Sequence, residues 1–179
     1  MKKIKNFKVY VFLLLAATVI SSCLKTPDQN STNTPEKEAS QIQSWLAQMV
    51  TNKNDIDTTS TGLFYIVKKI GTGATVKAGD SVTVKYTGMF LDGSVFDTSD
   101  KASNPSGTFK FLHKAPTDPT RTLIQGWEEG VEVLSKGSSA AFLIPSAKGY
   151  GVNGSYPYIP PYTPLIFVID VVDIKSNSL

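Results

Sequence analysis

The sequence predicts an α+β domain: a curled antiparallel β-sheet wrapped around one short α-helix, with an amphipathic helix in front of it. Three observations carry this expectation. After Thr58, apolar and polar residues alternate at period two, as in Val82-Thr83-Val84-Lys85-Tyr86-Thr87 and Phe109-Lys110-Phe111. That is the pattern of strands with one buried and one wet face. One later segment breaks the period, with Trp127, Val131 and Leu134 at helical spacing. Gly71-Thr72-Gly73, Asp92-Gly93 and the stretch from Gly149 to Gly154 supply turns. Several strands with a single short helix bury their apolar faces by curling the sheet around that helix.

The chain opens with Lys2, Lys3, Lys5 and Lys8, then an apolar run from Val9 to Ile20 that ends at Ser21-Ser22-Cys23. A basic start, an apolar centre and small residues before a cut are the parts of a secretory signal. About a dozen apolar residues are too few to cross a ~30 Å hydrocarbon core comfortably as a helix. Ile20-Ser21-Ser22-Cys23 resembles the bacterial lipobox, which implies removal of residues 1–22 and lipidation of Cys23. Several acyl chains on one residue hold durably where a single chain does not. An uncleaved N-terminal helix is the alternative. Residues 23–35 are polar and proline-containing, with too little to bury to offset their ordering entropy, and are expected to form a flexible tether.

Charge and composition exclude several classes. The net charge of +3 comes from the leader: of 18 basic residues, removing those four leaves 14 against 15 acidic ones. No basic stripe remains for nucleic acid. One cysteine and one histidine make neither an internal disulfide nor a zinc site, and His113 is expected as a surface or loop histidine. Gly71-Thr72-Gly73-Ala74 lacks the Lys-Ser/Thr of a phosphate loop, and no Gly-x-Ser-x-Gly elbow occurs.

Residues 36–54 read as the leading helix. Ile42, Trp45, Leu46, Met49 and Val50 share one face, and Thr34-Pro35-Glu36 offers a capping hydroxyl, a first-turn proline and an acid. A helix this short is marginal alone; packing on its own domain is favoured over self-association. The domain proper is expected over 58–176. Leu63, Tyr65 and Val67 alternate with Phe64 and Ile66; Ala140, Phe142 and Ile144 alternate in the same way; Leu165 to Ile174 is apolar on both faces. In the domain's helix, Glu128 and Glu129 occupy the first turn and Gly137 follows the end, suiting the positive and negative ends of a helix.

Four segments in register with these elements resemble the FKBP-type peptidyl-prolyl cis/trans isomerases. They are Val84-Lys85-Tyr86-Thr87-Gly88 with Asp92-Gly93-Ser94-Val95-Phe96-Asp97-Thr98-Ser99; Leu123-Ile124-Gln125-Gly126-Trp127-Glu128-Glu129-Gly130-Val131; Ile144-Pro145 ahead of Tyr150-Gly151; and Ile159-Pro160-Pro161 ahead of Leu165-Ile166-Phe167-Val168. They follow the family's order over residues 60–175. The resemblance implies an isomerase of X-Pro bonds that assists the folding of exported proteins and uses no cofactor and no metal. Trp127 would form the pocket floor, Tyr86, Phe96, Phe109 and Phe167 its walls, and Leu123, Ile124 and Ile159 its rim. The Ile124 N–H would bind a substrate carbonyl, the Tyr150 hydroxyl would bond near the rotating amide, and Asp97 would face the amide edge. Implied partners are proline-containing exported polypeptides, a membrane through the lipid anchor, and a macrolide ligand; nucleic acid is not among them.

The sequence departs from the family's pattern in three places. The segment from Thr98 to Thr108 is long and holds Lys101 where an arginine often pairs with the aspartate; lysine acts as a point charge rather than a bidentate fork. His113 to Thr122 is a second extension, expected at the pocket rim. Tyr156-Pro157-Tyr158 makes the later rim loop bulkier. A binding module that holds proline segments without turnover is the alternative function, and a structural lipoprotein assembling through its helix is a third.

Overall fold

The computed structural model describes residues 33–52 and 54–176; the leader, Cys23 and most of the tether lie outside them. A helix, α1 (Pro35–Thr51), comes first. The strands are β1 (Asp57–Thr58), β2 (Phe64–Lys69), β3 (Ser81–Met89), β4 (Val95–Thr98), β5 (Phe109–Leu112), β6 (Ser139–Ile144) and β7 (Leu165–Lys175). A second helix, α2 (Gln125–Glu132), and a 3-10 turn (Ser146–Lys148) complete the set. All recorded strand pairs are antiparallel, in the order β1-β2-β6-β7-β3-β4, with β5 also on β3. The expected curled sheet with one enclosed helix is the observed fold.

The main core lies between the sheet and α2. Val82, Val84, Phe142, Ile144, Leu165 and Ile169 face Val131 and Leu134 with no more than 2% exposure. Gly126 lets α2 approach β6: a Cβ there would sit 2.5 Å from the Ile144 Cγ2, a distance no packed side chain tolerates.

The β6 segment was expected to alternate, yet all six of its residues are buried. On the face away from the main cluster Leu143 is as inaccessible as Phe142, and Ile66 is buried as well. α2 packs against one face of β6, and α1 is fastened to the chain just beyond the end of this strand. Its Ile42, Trp45, Leu46 and Met49 are half-buried, while Val50 is exposed. The Thr34 hydroxyl caps α1 by accepting the Lys37 N–H at 3.2 Å, worth about 1 kcal/mol. Glu38 fastens the helix to the domain, accepting the Ser146 N–H at 2.5 Å and its hydroxyl at 2.6 Å. Asn33 adds a bond from its amide to the Thr163 hydroxyl at 3.0 Å. No helix of the described residues is long and apolar enough to cross a membrane.

Two expectations change. His113 is fully buried, not at the surface: its Nδ1 lies 2.6 Å from Glu128 Oε2 and its Nε2 3.2 Å from Glu132 Oε1. Glu128 and Glu129 do more than complement a helix dipole, since both are buried. Glu129 meets the Lys148 ammonium at 2.6 Å and accepts from the Thr59 and Thr61 hydroxyls. α2 is thus held by buried polar contacts on two sides as well as by apolar packing.

Candidate active site

β3 places the first site residue where its outer neighbours part. Its Ser81–Val84 half pairs with β5 and its Thr87–Met89 half with β4. Tyr86 falls in the gap. Ser99 fills the missing rung, its N–H donating to the Tyr86 carbonyl and its hydroxyl accepting the Tyr86 N–H, both at 3.0 Å. With strand pairing replaced by a loop, the Tyr86 side chain faces a hollow between Asp97 on β4 and Phe109 on β5.

The hollow encloses about 320 Å³ and is lined by Tyr86, Asp97, Phe109, Leu123, Ile124, Trp127, Tyr150 and Phe167, together with Thr122. Phe96 and Ile159 line the adjoining cavity, with Asp97 and Tyr150 common to both. Thr122 was not anticipated; it closes an extension whose composition marks a loop but not its inward-facing end.

Trp127 sits at the centre, 4% exposed. Tyr86, Phe109, Phe111 and Phe167 meet it edge-on, with ring centroids 5.1–6.2 Å away and planes at 75–86°. Such pairs add roughly 0.5–1.5 kcal/mol each beyond area burial and fix the indole in one orientation. Its N–H has no hydrogen-bond partner among the described residues. Gly88 permits the neighbouring wall, since a Cβ there would lie 2.7 Å from the Phe96 ring and 2.9 Å from that of Phe167.

The polar groups ring this apolar floor. The Tyr86 hydroxyl donates to Asp97 Oδ2 at 2.7 Å; Asp97 Oδ1 accepts the Thr98 N–H at 2.9 Å and forms an ion pair with Lys101. Partial burial would raise the Asp97 pKa, but Lys101, the Tyr86 hydroxyl and the Thr98 N–H together hold it below the usual carboxylate value. The lysine therefore occupies the place where an arginine was missed. Burial, reinforced by Asp97, pushes the Tyr86 and Tyr150 hydroxyls well up, so both keep their protons at neutral pH.

Tyr150 is held through its backbone. The Ser146 carbonyl accepts the Gly149 and Gly151 N–H groups, each at 2.8 Å, fixing the chain on either side of it. Its hydroxyl has no partner among the described residues. Ile124 is the N-cap of α2 in extended conformation (φ −63°, ψ 148°); its carbonyl accepts the Trp127 N–H at 3.0 Å, while its own N–H has no partner among the described residues. The hollow thus combines an apolar floor, whose indole N–H is itself unengaged, with two more unengaged donors and one ionised carboxylate at the edge.

Residues 73–172 match the family described as FKBP-type peptidyl-prolyl cis-trans isomerase. A protein of Haemophilus influenzae named a probable FKBP-type peptidyl-prolyl cis-trans isomerase is 36% identical over 69% of this chain and 47% of its own length. The outer membrane protein MIP of Legionella longbeachae is 34% identical over 65% of this chain and 46% of its own. The crystal structure of FkpA from Escherichia coli superposes with a TM-score of 0.62 at 29% identity, covering 80% of this chain and 63% of that one. The chain spans less than half the length of these two sequence relatives.

Proposed function

The chain belongs to the FKBP-type peptidyl-prolyl cis-trans isomerase family, and on that premise we propose that it accelerates rotation about X-Pro bonds of polypeptides outside the cytoplasm, held to a membrane by lipid on Cys23. The observation that carries the reaction is the aromatic hollow over Trp127, edged by unengaged donors.

An X-Pro amide rotates over a barrier of roughly 18–20 kcal/mol, and uncatalysed turnover takes tens to hundreds of seconds. No covalent bond breaks. At the twisted transition state the amide loses resonance and much of its dipole. A site that offers the proline ring apolar contact and little water therefore binds the twisted form better than the planar one, the condition for catalysis. The proline ring rests on Trp127 between Tyr86, Phe109 and Phe167, with Phe96, Leu123 and Ile159 at the edges. The Ile124 N–H takes a substrate carbonyl, fixing the chain on one side of the bond while the other turns. The Tyr150 hydroxyl donates near the rotating amide, and Asp97, already oriented by Tyr86 and Lys101, presents its carboxylate to the edge of the bound amide. Donors set in advance cost no reorganisation at the moment of reaction. The same hollow offers a macrolide its apolar seat, with Lys101 and the Tyr156-Pro157-Tyr158 loop altering the rim around it.

Anchoring rests on the leader pattern and on Ile20-Ser21-Ser22-Cys23, and a relative whose name places it in an outer membrane is consistent with it. Incorporation of labelled fatty acid into the wild type but not into Cys23→Ser supports the anchor; equal labelling rejects it. For the reaction, the protein should speed isomerisation of an X-Pro tetrapeptide. Trp127→Ala should lower kcat/KM at least tenfold, about 1.4 kcal/mol of transition-state binding, with the far-UV spectrum unchanged. Full activity in a folded Trp127→Ala protein defeats the assignment.

A further inference from the structure

The hollow over Trp127 does not end at its rim. An adjoining cavity of about 450 Å³ shares Asp97 and Tyr150 with it. A third, of about 490 Å³, shares Tyr158 with the second. A fourth, of about 360 Å³, shares Gln41, Leu91 and Asp92 with the third. Together they trace a groove from the prolyl site, past the rim loop, to the channel between α1 and the turn joining β3 to β4. We propose that this groove binds the client chain flanking the prolyl bond, in extended form, and favours apolar and basic side chains there; the proposal rests on the isomerase reading above and specifies its substrate.

The occupant follows from continuity and from chemistry. A groove that leads out of a prolyl pocket is entered by whatever is covalently joined to the proline, and an extended chain can follow a path that a folded surface cannot. The lining suits such a chain. Tyr158 is 75% exposed, a large aromatic surface beside Pro160, and Pro164 adds a second flat apolar edge. Gln41 offers an amide to a passing backbone. The two outer cavities carry one charge between them, Asp92, whose Oδ1 accepts the Ser94 N–H at 2.9 Å and its hydroxyl at 2.6 Å. A fixed carboxylate with an open side selects a lysine or arginine among otherwise apolar neighbours. The far wall belongs to α1, held by Glu38 on Ser146, so the segment in front of the domain forms part of the client surface.

The test compares the full chain in detergent with Gln41→Trp, which fills the groove, and Gln41→Ala, which leaves it open. Three quantities are read: tetrapeptide turnover, kcat/KM on a protein whose refolding waits on a prolyl bond, and affinity for a labelled long unstructured peptide with a central proline and lysine-bearing flanks. Gln41→Trp should weaken the long peptide and lower the refolding kcat/KM by about tenfold, with tetrapeptide turnover unchanged. Gln41→Ala should match the wild type throughout. Asp92→Asn, which still accepts from Ser94, should lower affinity about twofold for lysine-bearing flanks alone, as an exposed charge pair allows. Equal long-peptide affinity in Gln41→Trp and wild type overturns the groove and leaves the isomerase standing. A wild type without tetrapeptide turnover removes the isomerase reading; weaker long-peptide binding by Gln41→Trp would then still support the groove, and unchanged binding would overturn it.

Discussion

Replacing His113 by leucine strands a carboxylate in the core. His113 and Glu128 are both fully buried, with Nδ1 2.6 Å from Oε2. Burial would lower the imidazole pKa, but the hydrogen bonds and charges of Glu128 and Glu132 outweigh it and raise the value above that of a free histidine. The imidazolium is thus the partner that the buried Glu128 carboxylate faces. Without it, Glu128 keeps, among the described residues, only the long Lys114 N–H contact at 3.4 Å, and its Oε1 already has no partner among them. Removing one partner of a buried ion pair costs about 3–5 kcal/mol, against a total stability of roughly 5–15 kcal/mol for a domain. His113→Leu combined with Glu128→Leu should recover most of that loss, because no charge is left unpaired. The pH dependence has a definite sign. A folded-state pKa raised above the unfolded one gives stability that is complete below about pH 6.5 and is lost as pH rises through the folded value. Urea denaturation followed by tryptophan fluorescence at several pH values from 6 to 9 should show the wild type losing its advantage over the double variant. A difference that stays flat or widens with pH refutes the reasoning.

Gly88→Ala should press a methyl group into the Phe96 and Phe167 rings and lower tetrapeptide kcat/KM about tenfold; unchanged turnover would show that this wall does not shape the pocket. Lys101→Met should alter stability by no more than about 1 kcal/mol, since both members of its pair are partly exposed. It should also raise the Asp97 pKa and move the acid limb of the pH–rate profile to higher pH; an unmoved limb would disconnect Asp97 from turnover. Glu38→Ala leaves the buried Ser146 N–H and hydroxyl without their acceptor, at a cost of about 1–3 kcal/mol. Limited proteolysis should then cut within α1 before the sheet, and an unchanged digestion pattern would mean that the helix is held elsewhere.

Period two and one helical stretch were enough to predict the curled sheet, because strand alternation reports which side chains share a face. They do not report what covers that face. Ala141 and Leu143 fall on the wet positions of the expected alternation in β6, yet both are buried, so that face too is covered by chain distant in sequence. Eight of the named site residues line one hollow and Phe96 and Ile159 its neighbour; all but Phe109 sit in one of the four short segments whose order resembles the family's. His113 had no such signal. Its partners Glu128 and Glu132 lie 15 and 19 residues away across a loop, and a helix turn bearing glutamates reads the same whether it faces water or a buried imidazole.

The sheet ends in very short strands. β1 has two residues and β4 and β5 four each, whereas β3 with nine and β7 with eleven lie inside. Unpaired backbone along a sheet margin is a template on which another chain can add itself, and short margins blunt it. On the isomerase reading proposed above, the protein would meet unfolded polypeptides at every turnover and be unusually exposed to that hazard. On that reading, a client that strays from the aromatic hollow would meet only the short margins of β1, β4 and β5 and the Ile66–Lys69 stretch of β2 that β1 does not reach, where Lys68 and Lys69 discourage a further strand, and the chain would be kept from seeding aggregates with its own substrates.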